Sequence, residues 1–253
     1  MENAGQKAVA EFMGTFALTF IGAGAVVITI AGLSDAWLLG VALAHGIVLA
    51  VMVSVLGHIS GAHFNPAVTA AVWATGNIRS LMAGNYVLAQ LAAAIVAALA
   101  LTWVIPQGIR DLAPGLGSPA VGAGVSEGGA VIIEAFLTMF LVFVVFGTAV
   151  DDRGAFQKIA GLPIGLVLVF DILMGGPLTG AAMNPARALG PMIVGGETAD
   201  WWVYVVGPVG GGIIGAGIYW FAFLGGREKV VAAPKTERPI GGGPESDQEL
   251  VEE

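Results

Sequence analysis

Ser60-Gly61-Ala62-His63-Phe64-Asn65-Pro66-Ala67 and Thr179-Gly180-Ala181-Ala182-Met183-Asn184-Pro185-Ala186 are two versions of one segment, identical at five of eight positions. The shared Asn-Pro-Ala is rare. Composition alone would put Pro-Ala after a given Asn roughly one time in a hundred, and the chain has five asparagines. Asn is a favoured N-cap and Pro a favoured first helical residue, so each copy predicts the start of a helix. The apolar runs that follow, Ala67 to Trp73 and Ala188 to Val194, are too short to cross a hydrocarbon layer of about 30 Å. Both read as half-helices that enter a membrane and stop.

The chain around them is apolar throughout. Hydrophobic residues make up 57% of the 253 residues and charged ones 11%, with a mean hydropathy of +0.86. These values exclude a soluble domain with a polar surface. Spans of crossing length are expected near Val9 to Gly32, Ala36 to Leu56, Leu81 to Ile105, Gly129 to Val150, Ile159 to Gly176 and Trp201 to Leu224. They are too long and too evenly apolar for barrel strands, so the fold class is an all-α membrane protein with six transmembrane helices plus two re-entrant half-helices. The first span is expected to act as its own insertion signal, since no basic n-region or cleavage site precedes it.

Cations set the orientation. With both termini cytoplasmic, Lys7, Arg79, Arg153, Lys158, Arg227, Lys229, Lys235 and Arg238 all lie inside, while Arg110 alone falls in an outer loop. A multi-pass protein of the cell membrane, plasma or inner, is expected. The channel domain is placed at 1–225 and a disordered acidic cytoplasmic tail at 226–253, whose composition shifts to Pro, Gly, Glu, Asp and Lys. Cys is absent, which removes disulfides and thiol chemistry.

The halves repeat over about 7–105 and 127–224. Glu11, Thr15 and Phe20 correspond to Glu134, Thr138 and Phe143, and Tyr86 corresponds to Tyr204. Three spans per half is odd, so the second half is inverted and the two Asn-Pro-Ala segments approach the midplane from opposite faces. Two positive helix-dipole ends then meet in mid-membrane, where a cation is repelled. The Asn65 and Asn184 oxygens can cap locally while their amide hydrogens donate to the oxygen of a passing molecule. A water so held points its own hydrogens outward and cannot relay a proton across.

With Gly57-His58-Ile59-Ser60-Gly61-Ala62-His63 before the first motif and Arg187 directly after the second, the chain resembles the aquaporin, or major intrinsic protein, family over nearly all of its length except the tail. In aquaporin-type pores, diameter, lining donors and a positive barrier set selectivity. The resemblance implies pore motifs at Asn65, Pro66, Ala67, Asn184, Pro185 and Ala186, and a four-residue constriction at His45, Ile172, Ala181 and Arg187. Strict water channels of the family carry an aromatic ring at the position of His45 and a His at that of Ile172. The set here is more similar to the plant vacuolar-membrane subgroup, which implies a wider, amphipathic opening that admits ammonia, urea or hydrogen peroxide beside water. Glycerol channels of the family continue the second motif with Asp where Ala188 stands, which disfavours glycerol as the main substrate. A homotetramer in the lipid bilayer is also implied.

Other residues have plainer readings. Arg187 can also pin its own loop, and His45 can be a polar residue between helices, although an intramembrane ionisable group is by default a functional candidate. Glu11 and Glu134 are expected to satisfy loop and half-helix N–H groups, and His58 and His63 to brace the loop. Three His without Cys offer no metal site, and no cofactor, nucleic-acid partner or enzymatic constellation emerges. Asp171 is expected to face away from the lumen and anchor the outer loop. The competing reading is an ion-coupled secondary transporter, which shares inverted repeats and broken helices; a central proton relay to support it is missing.

Overall fold

The computed structural model describes residues 3–154 and 159–225. Among them every regular element is helical: α1 (Ala4–Ile30), α2 (Trp37–Ser60), α3 (Pro66–Ala74), α4 (Ser80–Val104), α5 (Gln107–Arg110), α6 (Glu127–Val145), α7 (Gly161–Thr179), α8 (Pro185–Gly195) and α9 (Val203–Phe223), with a π-helical turn Phe146–Val150 extending α6. Lys158, Arg227, Lys229, Lys235, Arg238 and the expected tail 226–253 lie outside the described residues. Among the described residues six helices are long and apolar enough to cross a membrane, at the six expected places.

The boundaries differ where capping outweighs hydropathy. α1 begins at Ala4, ahead of the expected Val9, because Asn3 accepts from Gln6 N at 2.8 Å while Asn3 N donates to the Gln6 side chain at 3.0 Å, a complete capping box. α2 and α7 run past their expected ends, each to a left-handed glycine, Gly61 (φ 88°) and Gly180 (φ 80°), that closes the last turn.

The packing follows the repeat. α1 lies on α4 as α6 lies on α9, α1 on α2 as α6 on α7, and the two halves meet where α2 crosses α7. Each half-helix also packs on the other half's third span, α3 on α9 and α8 on α4, so the halves interlock. The central crossing depends on missing side chains: a Cβ on Gly46 would stand 2.6 Å from Gly165 O, and one on Gly165 would overlap Gly46 O.

Apolar side chains such as Leu43, Ile47, Val51 and Phe140 are exposed around the outside of the bundle. Exposed Trp37, Trp103 and Trp201 lie at one end and Trp73 at the other, the arrangement of interfacial aromatic belts. Six crossings bring the start of α1 and the end of α9 to one face. There Arg153 clamps α6 to α9, donating to Asp151 at 2.7 and 2.8 Å and to Phe223 O at 2.8 Å. Its guanidinium holds the Asp151 carboxyl well below the usual carboxylate range.

Candidate pore and filter

The loops ahead of α3 and α8 have the same unusual backbone. Ala62, Phe64, Ala181 and Met183 all take positive φ, between 45° and 52°. Such conformations cost about 1–3 kcal/mol each and persist only when their surroundings fix them. Two buried carboxylates do so here. Glu11 accepts from His63 N (2.9 Å), Phe64 N (2.7 Å), Ser60 Oγ and Gln90 Nε2 (both 2.7 Å). Glu134 accepts from Ala182 N (2.9 Å), Met183 N (2.8 Å) and Thr179 Oγ1 (2.7 Å). Tyr86 and Tyr204 donate to Ser60 O and Thr179 O at 2.7 and 2.8 Å, completing matched cradles.

Asn65 and Asn184 cap α3 and α8 with their oxygens, accepting from Ala67 N at 2.8 Å and from Ala186 N and Arg187 N at 3.0 and 3.2 Å. Each amide also donates across the molecule: Asn65 Nδ2 to Met183 O (2.8 Å) and Asn184 Nδ2 to Phe64 O (2.9 Å). One N–H per amide is therefore committed to the opposite loop and one remains. Both asparagines line one buried lumen whose free volume, about 20 Å³, suits a single water.

His45, Ile172, Ala181 and Arg187 line that same lumen. Arg187 is 3% exposed, and its Nε and Nη2 lie 3.2 and 3.1 Å from His45 Nε2. His45 Nδ1 sits 2.8 Å from Val41 O. This network assigns the imidazole proton to Nδ1, leaving the Nε2 lone pair for the guanidinium. Among the described residues Arg187 Nη1 is buried without a partner.

The other expected residues are distributed as follows. His63 lines the lumen, with Nδ1 3.1 Å from Thr69 Oγ1 and its ring edge-on to Tyr86. His58 does not brace the loop. It is exposed on the last turn of α2, beside an open cavity at the terminal face, and among the described residues it makes no hydrogen bond. Asp171 faces away from the lumen but anchors no outer loop. It is 1% exposed, with Oδ2 unpartnered among the described residues, in a side cleft lined by Phe136, Leu137, Phe140 and Met174.

Sequence reasoning missed Gln90 and Thr69. Gln90 Nε2 donates to Glu11 and, at 3.1 Å, to Thr69 Oγ1, which itself donates to Asn65 O at 3.0 Å. A lone amide in an apolar span was the available signal. Positions in the second half corresponding to Gln90 and Thr69 hold Pro208 and Ala188, so this arm has no counterpart there.

The family profile described as Major intrinsic protein matches residues 2–219. The chain belongs to the major intrinsic protein family. Aquaporin NIP1-1 of Zea mays is 42% identical over 214 residues, covering 85% of this chain and 73% of that protein. Aquaporin TIP4-4 of Zea mays is 43% identical over 227 residues, covering 87% and 88%. The X-ray structure of the aquaglyceroporin from Plasmodium falciparum superposes with a TM-score of 0.77 at 26% identity, over 86% of this chain and 96% of that one. This major intrinsic protein is a passive channel for water and small solutes, not an enzyme. Similarity to TIP-named and NIP-named relatives is nearly equal, so identity over the whole chain does not choose between them.

Proposed function

We propose that the channel passes water together with small neutral solutes of the ammonia, urea or hydrogen peroxide kind, in single file, and rejects protons and ions. The observation that carries this reading is the Arg187–His45 pair at a narrow lumen, with Arg187 Nη1 still lacking a protein partner. A buried donor without a partner is costly, and a permeant oxygen supplies one. The fixed charge repels cations while the apolar sides of Ile172 and Ala181 limit how many polar contacts a solute can make. Deeper in, the remaining N–H groups of Asn65 and Asn184 orient each water at the meeting point of two helix N-termini, which opposes proton relay and cation passage.

Glycerol is the second reading, because the Plasmodium structure bears the aquaglyceroporin name. The filter argues for smaller solutes, and Ala188, at the position where glycerol channels of the family carry Asp, is fully buried. The proposal extends to a channel domain over 1–225, a homotetramer with one lumen per subunit, and a cell membrane with both termini in the cytoplasm.

Reconstituted liposomes under osmotic shock should shrink faster than protein-free ones, with a low activation energy for water. In the same preparation ammonia, urea and peroxide should pass readily and glycerol poorly. His45→Phe is expected to reduce ammonia and urea passage more than water passage; equal loss for all solutes would undo the filter assignment. Saturable flux coupled to a proton or sodium gradient would favour a transporter instead.

A further inference from the structure

The filter side chains come from α2, α7, α8 and the loop entering α8, while α1 meets His45 at a residue without a side chain. Gly22 is buried against the imidazole. A Cβ there would overlap Nε2 and Cδ2 of His45 and stand 2.8 Å from Cε1. Those three ring atoms are its nearest neighbours. The helix-packing glycines differ: a Cβ on Gly211 would meet the backbone of Ala135, and one on Gly215 the backbone of Met139. At Gly22 the obstacle is the far end of one side chain, so α1 and α2 can keep their spacing if the ring moves.

We infer that Gly22 is a specificity-determining positioning residue, whose absent side chain forms the recess that holds the His45 imidazole beside Arg187. The inference rests on the filter reading given above. The His45 ring is held at one edge by Val41 O and at the other by two Arg187 nitrogens. The atom that any Cβ on Gly22 would displace is Nε2, the acceptor for both. Pushed off α1, the ring turns toward the lumen it lines, and Arg187, with Nη1 already unpartnered, loses its contacts on that side. The opening then narrows, and its donors face the permeant differently.

The test measures water, ammonia and urea permeability of the full chain in liposomes for Gly22→Ala, His45→Ala and the double variant. Gly22→Ala should lower the solute-to-water permeability ratio by roughly fivefold. Added to His45→Ala, the same substitution should change nothing further, because the group it displaces is gone. An equal shift in both backgrounds would make Gly22 a packing residue and overturn the assignment, as would an unshifted ratio in the wild-type background. If His45→Ala itself leaves the ratio unchanged, the filter reading fails and the inference falls with it; if only Gly22→Ala is silent, the filter reading stands alone. Should Gly22→Ala not fold, recovery of folding in the double variant supports the steric recess, and failure of both variants overturns it.

Discussion

A buried carboxylate is tolerable only when its lone pairs are filled, and the two matched glutamates meet that demand unequally. Glu11 has four donors and Glu134 three, the difference being Gln90. Gln in either place keeps one acceptor oxygen and turns an NH2 against an N–H. At position 11 that NH2 faces two donors if it takes the Oε2 site, and at 134 it faces only Met183 N. Each charge-assisted bond is worth about 1.5–3 kcal/mol. Glu11→Gln should therefore lower Tm more than Glu134→Gln, by circular dichroism of purified protein; the reverse order would mean that Gln90 adds nothing. Asp171 is the opposite case, a carboxyl with an unpartnered buried oxygen among aromatic side chains. Asp171→Leu should raise stability by about 1–3 kcal/mol, the cost of leaving a buried polar group unsatisfied. A lower Tm would show that Asp171 has a partner in the assembled protein. The matched glutamates were legible in the sequence because a repeat displays both copies. Gln90 and Gly22 were not, since a lone amide or glycine in an apolar span sets no period and its partner is known only once the helices are packed.

At the scale of elements, closeness of approach is what the glycines supply. Along α9, Gly207, Gly211 and Gly215 recur every four residues and turn toward Val131, Ala135 and Met139 of α6, where any Cβ would collide with backbone atoms. Helices in lipid gain little from hydrophobic exclusion and associate through such contacts. Gly211→Ala should thus push α6 and α9 apart and lower Tm by several degrees, whereas Gly217→Ala, with open space around it, should leave Tm in place or raise it by improving helix propensity. Equal effects at both positions would mean that the α6–α9 contact does not limit stability. Hydropathy placed all six spans, because twenty apolar residues in a row admit few other readings. It missed three of their ends. The start of α1 and the ends of α2 and α7 depend on single capping residues, Asn3, Gly61 and Gly180.

For the whole molecule the decisive feature is that neither half completes its own pore. The half-helix α3 packs on α9 and α8 on α4, and each asparagine amide donates to a carbonyl of the other half, Asn65 to Met183 and Asn184 to Phe64. The inverted repeat was legible from the two motifs, but this exchange was not, because the bonded residues are 118 and 120 positions apart and lie in loops of irregular backbone. Separated halves would leave those four groups unpaired at membrane depth, where water is scarce and each unsatisfied group costs several kcal/mol. The chain can be divided after Gly124, a loop glycine with open space around it. Either half expressed alone should give no osmotic water permeability above that of empty vesicles. Expressed together, the halves should restore it, since the same bonds can form between two chains as within one. Conduction by a single half would show that one Asn-Pro-Ala segment suffices and that the crossed bonds are incidental to the lumen.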